Sequence, residues 1–326
     1  MDRKFLKTSL CLLVLLLMVA GGCQKDNTED PANANPTAEK KLHVVATIGM
    51  ITDILKNIGQ DRIDVTGIVG AGVDPHLYKP TAGDIERLKD ADIIFYNGLN
   101  LEMKIIGAAH DKMADKTKAV AVTDGIPRLQ LRTSSEFQGG YDPHVWHDVS
   151  LWMKAVERVR DTLAQADPNN AEYYRSNAKN YLAALKTLHD DLQNLAAQIP
   201  AQRRVLVTTH DAFGYLGRVY GFEVRGLQGL NTETEVGVAD IRELAAFIIE
   251  HRIPAMFVET STSSQGIKAV QAAVRAQGFE VEIGGGLFAD AMGTPGTPEG
   301  TYIGLMRHNI DTIVNALRAE LAYRSQ

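Results

Sequence analysis

The sequence of residues 171–199 is AEYYRSNAKNYLAALKTLHDDLQNLAAQI, and this stretch decides the fold because it predicts one very long helix. It contains no glycine or proline, its apolar residues recur at helical spacing, and Pro168 and Pro200 lie just outside its two ends. A helix of this length extends roughly 43 Å at 1.5 Å per residue. Such a helix is more natural as a connector between two lobes than as part of one compact lobe.

Short buried-strand patterns alternate with helical patterns on both sides of this helix. Before it, the predicted strands span 42–48, 63–69, 92–96 and 118–122, with helices at 50–58, 82–89, 101–113 and 152–166. After it, the predicted strands span 205–209, 223–227, 255–259 and 280–283, with helices at 212–220, 240–251, 265–276 and 302–322. This alternation favours parallel sheets covered by helices on both faces. We therefore expect an α/β fold with two Rossmann-like lobes, 41–169 and 200–326, joined by one rigid helix at 170–199.

The first 40 residues predict export and anchoring rather than a folded core. Residues 1–22 have the cationic start, the apolar run of about twelve residues and the small final residues of a signal peptide. Cys23 follows directly, as in a bacterial lipobox, so we expect a lipid on Cys23; the alternative is a plain secretory signal cut near Ala20, with Cys23 left as a free thiol. Residues 23–40 are polar and predict a flexible tether. The body of the protein would then lie on the extracytoplasmic or periplasmic face of a cell membrane, held by the lipid.

Composition narrows the classes of function. The chain has 34 Lys+Arg against 40 Asp+Glu and a formal net charge of −6, so no nucleic-acid partner is expected. The two cysteines, Cys11 and Cys23, both lie near the N-terminus, so the rest of the chain can form neither an intrachain disulfide nor a thiolate metal site. A metal site in the body of the protein must therefore use other donors.

Four residues fall in loops that follow predicted strands, two in each lobe. The tripeptide Asp-Pro-His occurs twice and supplies His76 and His144. His210 directly follows the strand VLVTT, and Asp290 follows the run GGGLFA. Because open α/β sheets bind ligands beyond the carboxyl ends of their strands, these four side chains are candidates for one shared site. Each alone is more typical of a surface histidine or a loop-capping carboxylate, so the prediction depends on all four together.

The donor set of the candidate site indicates a transition metal. Imidazoles and a carboxylate bind Zn²⁺, Mn²⁺ or Fe²⁺, whereas Ca²⁺ and Mg²⁺ prefer oxygen. His147, three residues after His144, is an alternative ligand. Glu259, at the end of the strand AMFVE, could orient a ligand imidazole or pair locally. Because free imidazole titrates near 6.5, we expect metal affinity to fall below about pH 6.

Six stretches carry a resemblance to a known family. They are GAGVDPHLYKPTAGDIERL (70–88), DPHVWHDVSLW (142–152), YYRSNAKNYLAAL (173–185), TTHDAFGYLGRVYGFEVRGLQGLNTETE (208–235), MFVETSTS (256–263) and DAMGTPGTPEGTYIGLMRHNI (290–310). In these stretches the chain resembles the zinc/manganese solute-binding proteins of bacterial ABC transporters, the ZnuA/TroA family. The resemblance implies one metal site in the cleft between the lobes, with ligands at His76, His144, His210 and Asp290. It also implies a monomer that is not an enzyme, that carries one Zn²⁺ or Mn²⁺ ion as cargo, and that delivers it to a permease and its ATPase.

The sequence leaves three alternative functions open. A secreted metallohydrolase would need an open coordination position and a nearby base, but the chain has no HExxH motif and four protein ligands would close the shell. A binding protein for a larger solute, such as a metal chelate, would need a cleft lined by aromatic or arginine side chains, and the chain has only two tryptophans, Trp146 and Trp152. A role in cell adhesion could coexist with metal binding.

Overall fold

The computed structural model describes residues 41–110, 117–134 and 140–323. The predicted signal peptide at 1–22, the lipidation site Cys23, the tether at 23–40 and the last part of the predicted helix 101–113 lie outside these ranges. None of the helices in the described ranges combines the length and the apolarity that a membrane span requires.

The first lobe contains a parallel sheet of four strands in the order β2-β1-β3-β4. The strands are β1 (Leu42–Ala46), β2 (Ile63–Gly67), β3 (Ile93–Tyr96) and β4 (Lys118–Ala121), and the helices are α1 (Gly49–Gly59), α2 (Ala82–Asp90) and α3 (Met103–His110). The central strand β1 pairs with β2 on one side and with β3 on the other, and Val44, Val45 and Ala46 are fully buried. Strands buried on both faces are typical of parallel sheets.

One long helix connects the lobes, and the helix before it closes the first lobe. Helix α4 (Val149–Ala166) begins at Asp148, whose carboxylate accepts hydrogen bonds from the first backbone amides of the helix. Helix α5 (Ala171–Ala196) is the predicted connector, and it ends three residues earlier than predicted. The backbone amides of Gln198 and Ile199 bond to carbonyls three residues back, so the chain tightens before Pro200. The residue before a proline disfavours the α conformation, which accounts for the early end.

One hydrophobic core runs along α5. Its buried residues recur every three or four positions: Ala171, Tyr174, Ala178, Tyr181, Leu185, Leu188, Leu192 and Ala196. This face packs against α1 and α4 of the first lobe and against α9 (Tyr302–Tyr323) of the second. The connector is therefore held to both lobes by buried apolar contacts, as expected for a stiff joint.

The second lobe contains two parallel pairs of strands. Its elements are β5 (Val205–His210), α6 (Gly214–Tyr220), β6 (Glu223–Gln228), α7 (Val238–Glu250), β7 (Ala255–Glu259), α8 (Gln265–Arg275) and β8 (Glu282–Leu287), followed by α9. Strand β5 pairs with β6, β7 pairs with β8, and β5 lies beside β7. The predicted α/β class with mainly parallel sheets is thus observed in both lobes.

Strand β8 differs from its prediction, because it continues through the glycine run that was assigned to a loop. A Cβ atom on Gly284 would lie 2.7 Å from the Cβ of Ala316 and 2.8 Å from the ring of Phe257, so only glycine allows α9 to pack here. Gly285 has a φ of 143°, and the pairing with β7 shifts register between Met256 and Val258. Glycine permits this irregular strand, which brings the chain to Asp290 three residues after β8 ends.

Candidate metal centre

Both Asp-Pro-His tripeptides form tight turns that the aspartate closes. The Oδ1 atom of Asp74 accepts a hydrogen bond from the backbone N–H of His76 at 2.8 Å. The Oδ1 atom of Asp142 accepts the equivalent bond from His144 at 2.9 Å. An aspartate that bonds to the amide two residues on is a common turn former, and the proline between them fixes φ. The repeated motif therefore holds each histidine on a preset turn.

The side chains of His76, His144, His210 and Asp290 come together, and their donor atoms all lie within 4.8 Å of one another. The Nε2 atoms of His76 and His144 are 3.2 Å apart. The Oδ1 atom of Asp290 lies 3.3 Å from Nε2 of His144, and its Oδ2 lies 3.1 Å from Nε2 of His210 and 3.6 Å from Nε2 of His76. Each lobe thus contributes two side chains to a single cluster, and His210 is the last residue of β5.

Carboxylates orient two of the three imidazoles. The Nδ1 atom of His144 lies 2.8 Å from Asp142, whose other oxygen accepts a 2.7 Å bond from Arg132. The Nδ1 atom of His210 lies 2.5 Å from Glu259, which also accepts the backbone N–H of His210 at 2.9 Å. A carboxylate at Nδ1 keeps the proton there and leaves Nε2 free to bind a metal. Both Nε2 atoms face the centre of the cluster.

Burial and neighbouring carboxylates shift the pKa values of the imidazoles in the cluster in opposite directions. Burial lowers the pKa of His76 to about 4. At His144 burial is outweighed by the carboxylates of Asp290 and Asp142, which raise its pKa to about 9. Burial is likewise outweighed at His210, where Glu259 and Asp290 raise the pKa well above its usual value. The pKa of Asp290 is held well below its usual value, because the neighbouring imidazoles His210 and His144 overcome the effect of burial. These shifts favour an ionised Asp290 with positive charge beside it at His144 and His210.

Three buried atoms of the cluster make no hydrogen bond within the described part of the chain. They are both carboxylate oxygens of Asp290 and the Nε2 atom of His210. Buried polar atoms in folded proteins almost always have a partner. A divalent cation would satisfy all three at once and would replace the positive charge of the protons it displaces. The residues therefore fit a transition-metal ion in donor type, charge and burial.

His147 and Glu259 occupy different places around this cluster. Glu259 lies against His210, as described above. The Nε2 atom of His147 lies 3.1 Å from the carbonyl oxygen of Ala289, which also accepts a 2.8 Å bond from the indole N–H of Trp146. Burial lowers the pKa of His147 to about 3, so its imidazole is neutral. His147 therefore contacts the backbone directly before Asp290.

Several residues that support the cluster were not among the predicted site residues. Asp142 contacts the imidazole of His144, and Arg132 pairs with Asp142. The signal available was the repeat itself, since an Asp two residues before each ligand candidate is placed to bond it. Thr232 and Glu233, which contact the first lobe beside His76, had no signal, because their partners lie more than 100 positions away.

Comparison with known proteins places these features in a family. The family model described as "Zinc-uptake complex component A periplasmic" (ZnuA) matches residues 44–316. The zinc-binding protein TroA of Treponema pallidum (strain Nichols) is 45% identical over 313 residues, which cover 96% of this chain and 99% of that protein. The manganese-binding lipoprotein MntA of Bacillus subtilis (strain 168) is 42% identical over 297 residues, which cover 91% of this chain and 94% of that protein.

A solved structure agrees with these sequence matches. The periplasmic zinc-binding protein TroA from Treponema pallidum matches with a TM-score of 0.82 and 48% sequence identity, and the match covers 85% of this chain and 99% of that one. The predicted fold class and the resemblance drawn from the six sequence stretches are both confirmed. This chain belongs to the ZnuA family, the family of component A of periplasmic zinc-uptake complexes.

Proposed function

We propose that this protein captures one divalent transition-metal ion outside the cytoplasm and delivers it to the permease of an ABC transporter for import. The observation that carries the proposal is the buried cluster of His76, His144, His210 and Asp290, whose donor atoms lie within 4.8 Å of one another. The relatives support it, since one is named for zinc binding and another for manganese binding.

In this proposal the four clustered residues are the ligands, and their neighbours position them. Asp142 and Glu259 orient the imidazoles of His144 and His210, and His147 holds the backbone before Asp290. His76 and His144 belong to the first lobe, whereas His210 and Asp290 belong to the second. Because the ion bonds to both lobes, its release requires the lobes to separate or one ligand loop to move.

The donor set accepts Zn²⁺, Mn²⁺ or Fe²⁺ as cargo. Both oxygens of Asp290 face imidazoles, so the carboxylate can bind through one oxygen, as in tetrahedral zinc sites, or through both, with five donors around the ion. Nitrogen ligands favour Zn²⁺ over Mn²⁺ in the usual divalent order. A preference for zinc in the test tube therefore does not identify the cargo in the cell, which metal uptake by a deletion strain would identify.

The remaining parts of the proposal concern where the protein works. Cys23 carries a lipid that anchors the protein to the membrane, and residues 23–40 tether the body to that lipid. A relative named as a lipoprotein supports the anchor. The protein acts as a monomer with a permease and its ATPase as partners. Four protein ligands would complete a tetrahedral zinc shell, which leaves no open position on zinc for hydrolytic chemistry.

Metal analysis of protein purified without chelators tests this function. We expect one transition-metal ion per chain. His210→Ala removes one donor and should weaken affinity at least about tenfold, because even the loss of residues that orient ligands has an effect of that size. The surface variant His251→Ala is the matched control, since His251 is an exposed histidine of the same lobe, and it should bind as the unaltered protein does. Metal-free protein, or equal affinities for His210→Ala and His251→Ala, would contradict the proposal.

A further inference from the structure

His76 is held differently from the other two imidazoles of the cluster. It is 7% exposed, whereas His144 and His210 are fully buried. Among the described residues, no carboxylate contacts its Nδ1 atom, in contrast to Asp142 at His144 and Glu259 at His210. The position of His76 therefore depends on its turn rather than on a partner for its ring.

A buried hydrogen bond connects the second lobe to the turn that carries His76. The hydroxyl of Thr232, in the loop between β6 and α7, donates a 2.7 Å bond to Oδ2 of Asp74. The other oxygen of Asp74 accepts the backbone N–H of His76. Thr232 and Asp74 are both buried, with 9% and 8% exposure. One carboxylate thus connects the amide of His76 to a hydroxyl of the opposite lobe.

An ion pair between the lobes lies beside the carbonyl group of His76. Glu233 pairs with Lys104 of α3, and the Nζ atom of Lys104 also donates a 3.2 Å bond to the carbonyl oxygen of His76. Lys104 lowers the pKa of Glu233, so this carboxylate is ionised at neutral pH. Both side chains are nearly half exposed, and exposed ion pairs contribute little. The hydrogen bond of Thr232 should therefore be the stronger of the two contacts.

We propose that Thr232 and Glu233 form a clasp across the cleft that holds the turn of His76 in the ligand set and thereby sets the rate at which the metal leaves. The inference rests on the proposed function, because it assumes that the cluster binds the metal. Thr232 and Glu233 are positioning residues that touch no donor atom. While the clasp is closed, the amide and the carbonyl of His76 are both linked to contacts with the second lobe, so the turn that carries the imidazole is held beside the ion. Opening the clasp frees the one ligand imidazole whose Nδ1 atom contacts no carboxylate of the described residues.

The direct test is the dissociation rate of the metal, measured by rapid mixing of the Zn²⁺-loaded protein with a chromogenic chelator. Thr232→Val keeps the shape but removes the hydroxyl, and Glu233→Gln keeps the shape but removes the charge. We expect dissociation to be faster by about tenfold for Thr232→Val and about threefold for Glu233→Gln, because bonds to buried charged groups are worth more than exposed ion pairs. Thr232→Ser retains the hydroxyl and should restore the original rate. Asp190→Asn, which removes the exposed pair with Lys186 on α5, is the control and should leave the rate unchanged.

The Thr232→Val substitution made in a His76→Ala protein separates a positioning role from a general structural role. If the clasp acts through His76, Thr232→Val should have no further effect on dissociation from a His76→Ala protein. An unchanged rate in Thr232→Val, no rescue by Thr232→Ser, or an equal acceleration in the His76→Ala background would overturn the clasp. Failure of the unaltered protein to bind Zn²⁺ would instead overturn the proposed function, so the two failures are distinguishable.

Discussion

Replacing Asp290 by asparagine is expected to weaken metal binding at least about a hundredfold, more than the loss of an orienting residue does. Asp290 is the only anionic member of the four, and its oxygens lie within 3.6 Å of all three imidazole Nε2 atoms. Because its pKa is held well below the usual value, it is ionised at every pH at which the metal binds. The variant keeps the shape of the side chain and leaves a dipositive ion buried among neutral donors, which is costly in a buried site.

Competition titration against a chelator of known affinity measures this loss. Asp190→Asn serves as the control, because it removes the same charge from an exposed position on α5 and should leave affinity unchanged. Circular dichroism of the metal-free variants checks that both remain folded. A dissociation constant for Asp290→Asn within threefold of the unaltered value would mean that Asp290 is not a ligand.

Metal affinity is expected to rise with pH through the neutral range, by roughly a hundredfold per pH unit where two protons are displaced. The carboxylates around His144 raise its pKa to about 9, and those around His210 raise its pKa well above the usual value. Both imidazoles are therefore protonated in the metal-free site at neutral pH and must lose those protons when the ion binds. His76, with a pKa lowered to about 4, competes only in strongly acidic solution. The pH range in which affinity falls therefore lies above pH 6, the value expected for free imidazole.

Isothermal calorimetry in two buffers of different ionisation enthalpy counts the released protons. We expect about two per ion at pH 7, in line with the two raised imidazole pKa values. Titrations at pH 6, 7 and 8 should give successively tighter binding. Affinity that stays constant over that range, with no proton release, would show that imidazoles do not surround the ion.

The long helix was predictable because its signal is local and repeated. The run contains no glycine or proline and has apolar residues every three or four positions, which is typical of a helix. Prolines lie just outside its two ends. Strand β8 was less predictable, because three glycines in a row suggest a loop. Their role depends on Phe257 and on α9, which pack where side chains would otherwise stand. Tertiary packing therefore determines the conformation of β8, and this packing leaves no local signal in the sequence.

The convergence of the four ligand candidates was predictable from the topology of parallel sheets. His210 ends β5, Asp290 follows β8 by three residues, and His76 and His144 lie in loops of the first lobe. The topology of parallel sheets brings such positions together. The clasp was not predictable, since Thr232 meets Asp74 across 158 positions of sequence and neither residue type is unusual in a loop. Side chains that act by touching a distant turn carry no periodic or motif signal, so only the folded structure identifies them.

A crystal structure of the metal-loaded protein, with the ion located by anomalous scattering at its absorption edge, tests the central claim most directly. The account predicts one ion in the cleft, about 2.0–2.2 Å from the Nε2 atoms of His76, His144 and His210 and from a carboxylate oxygen of Asp290. An ion bound elsewhere, or a peak at the cleft from which any of these four donors is absent, would contradict it.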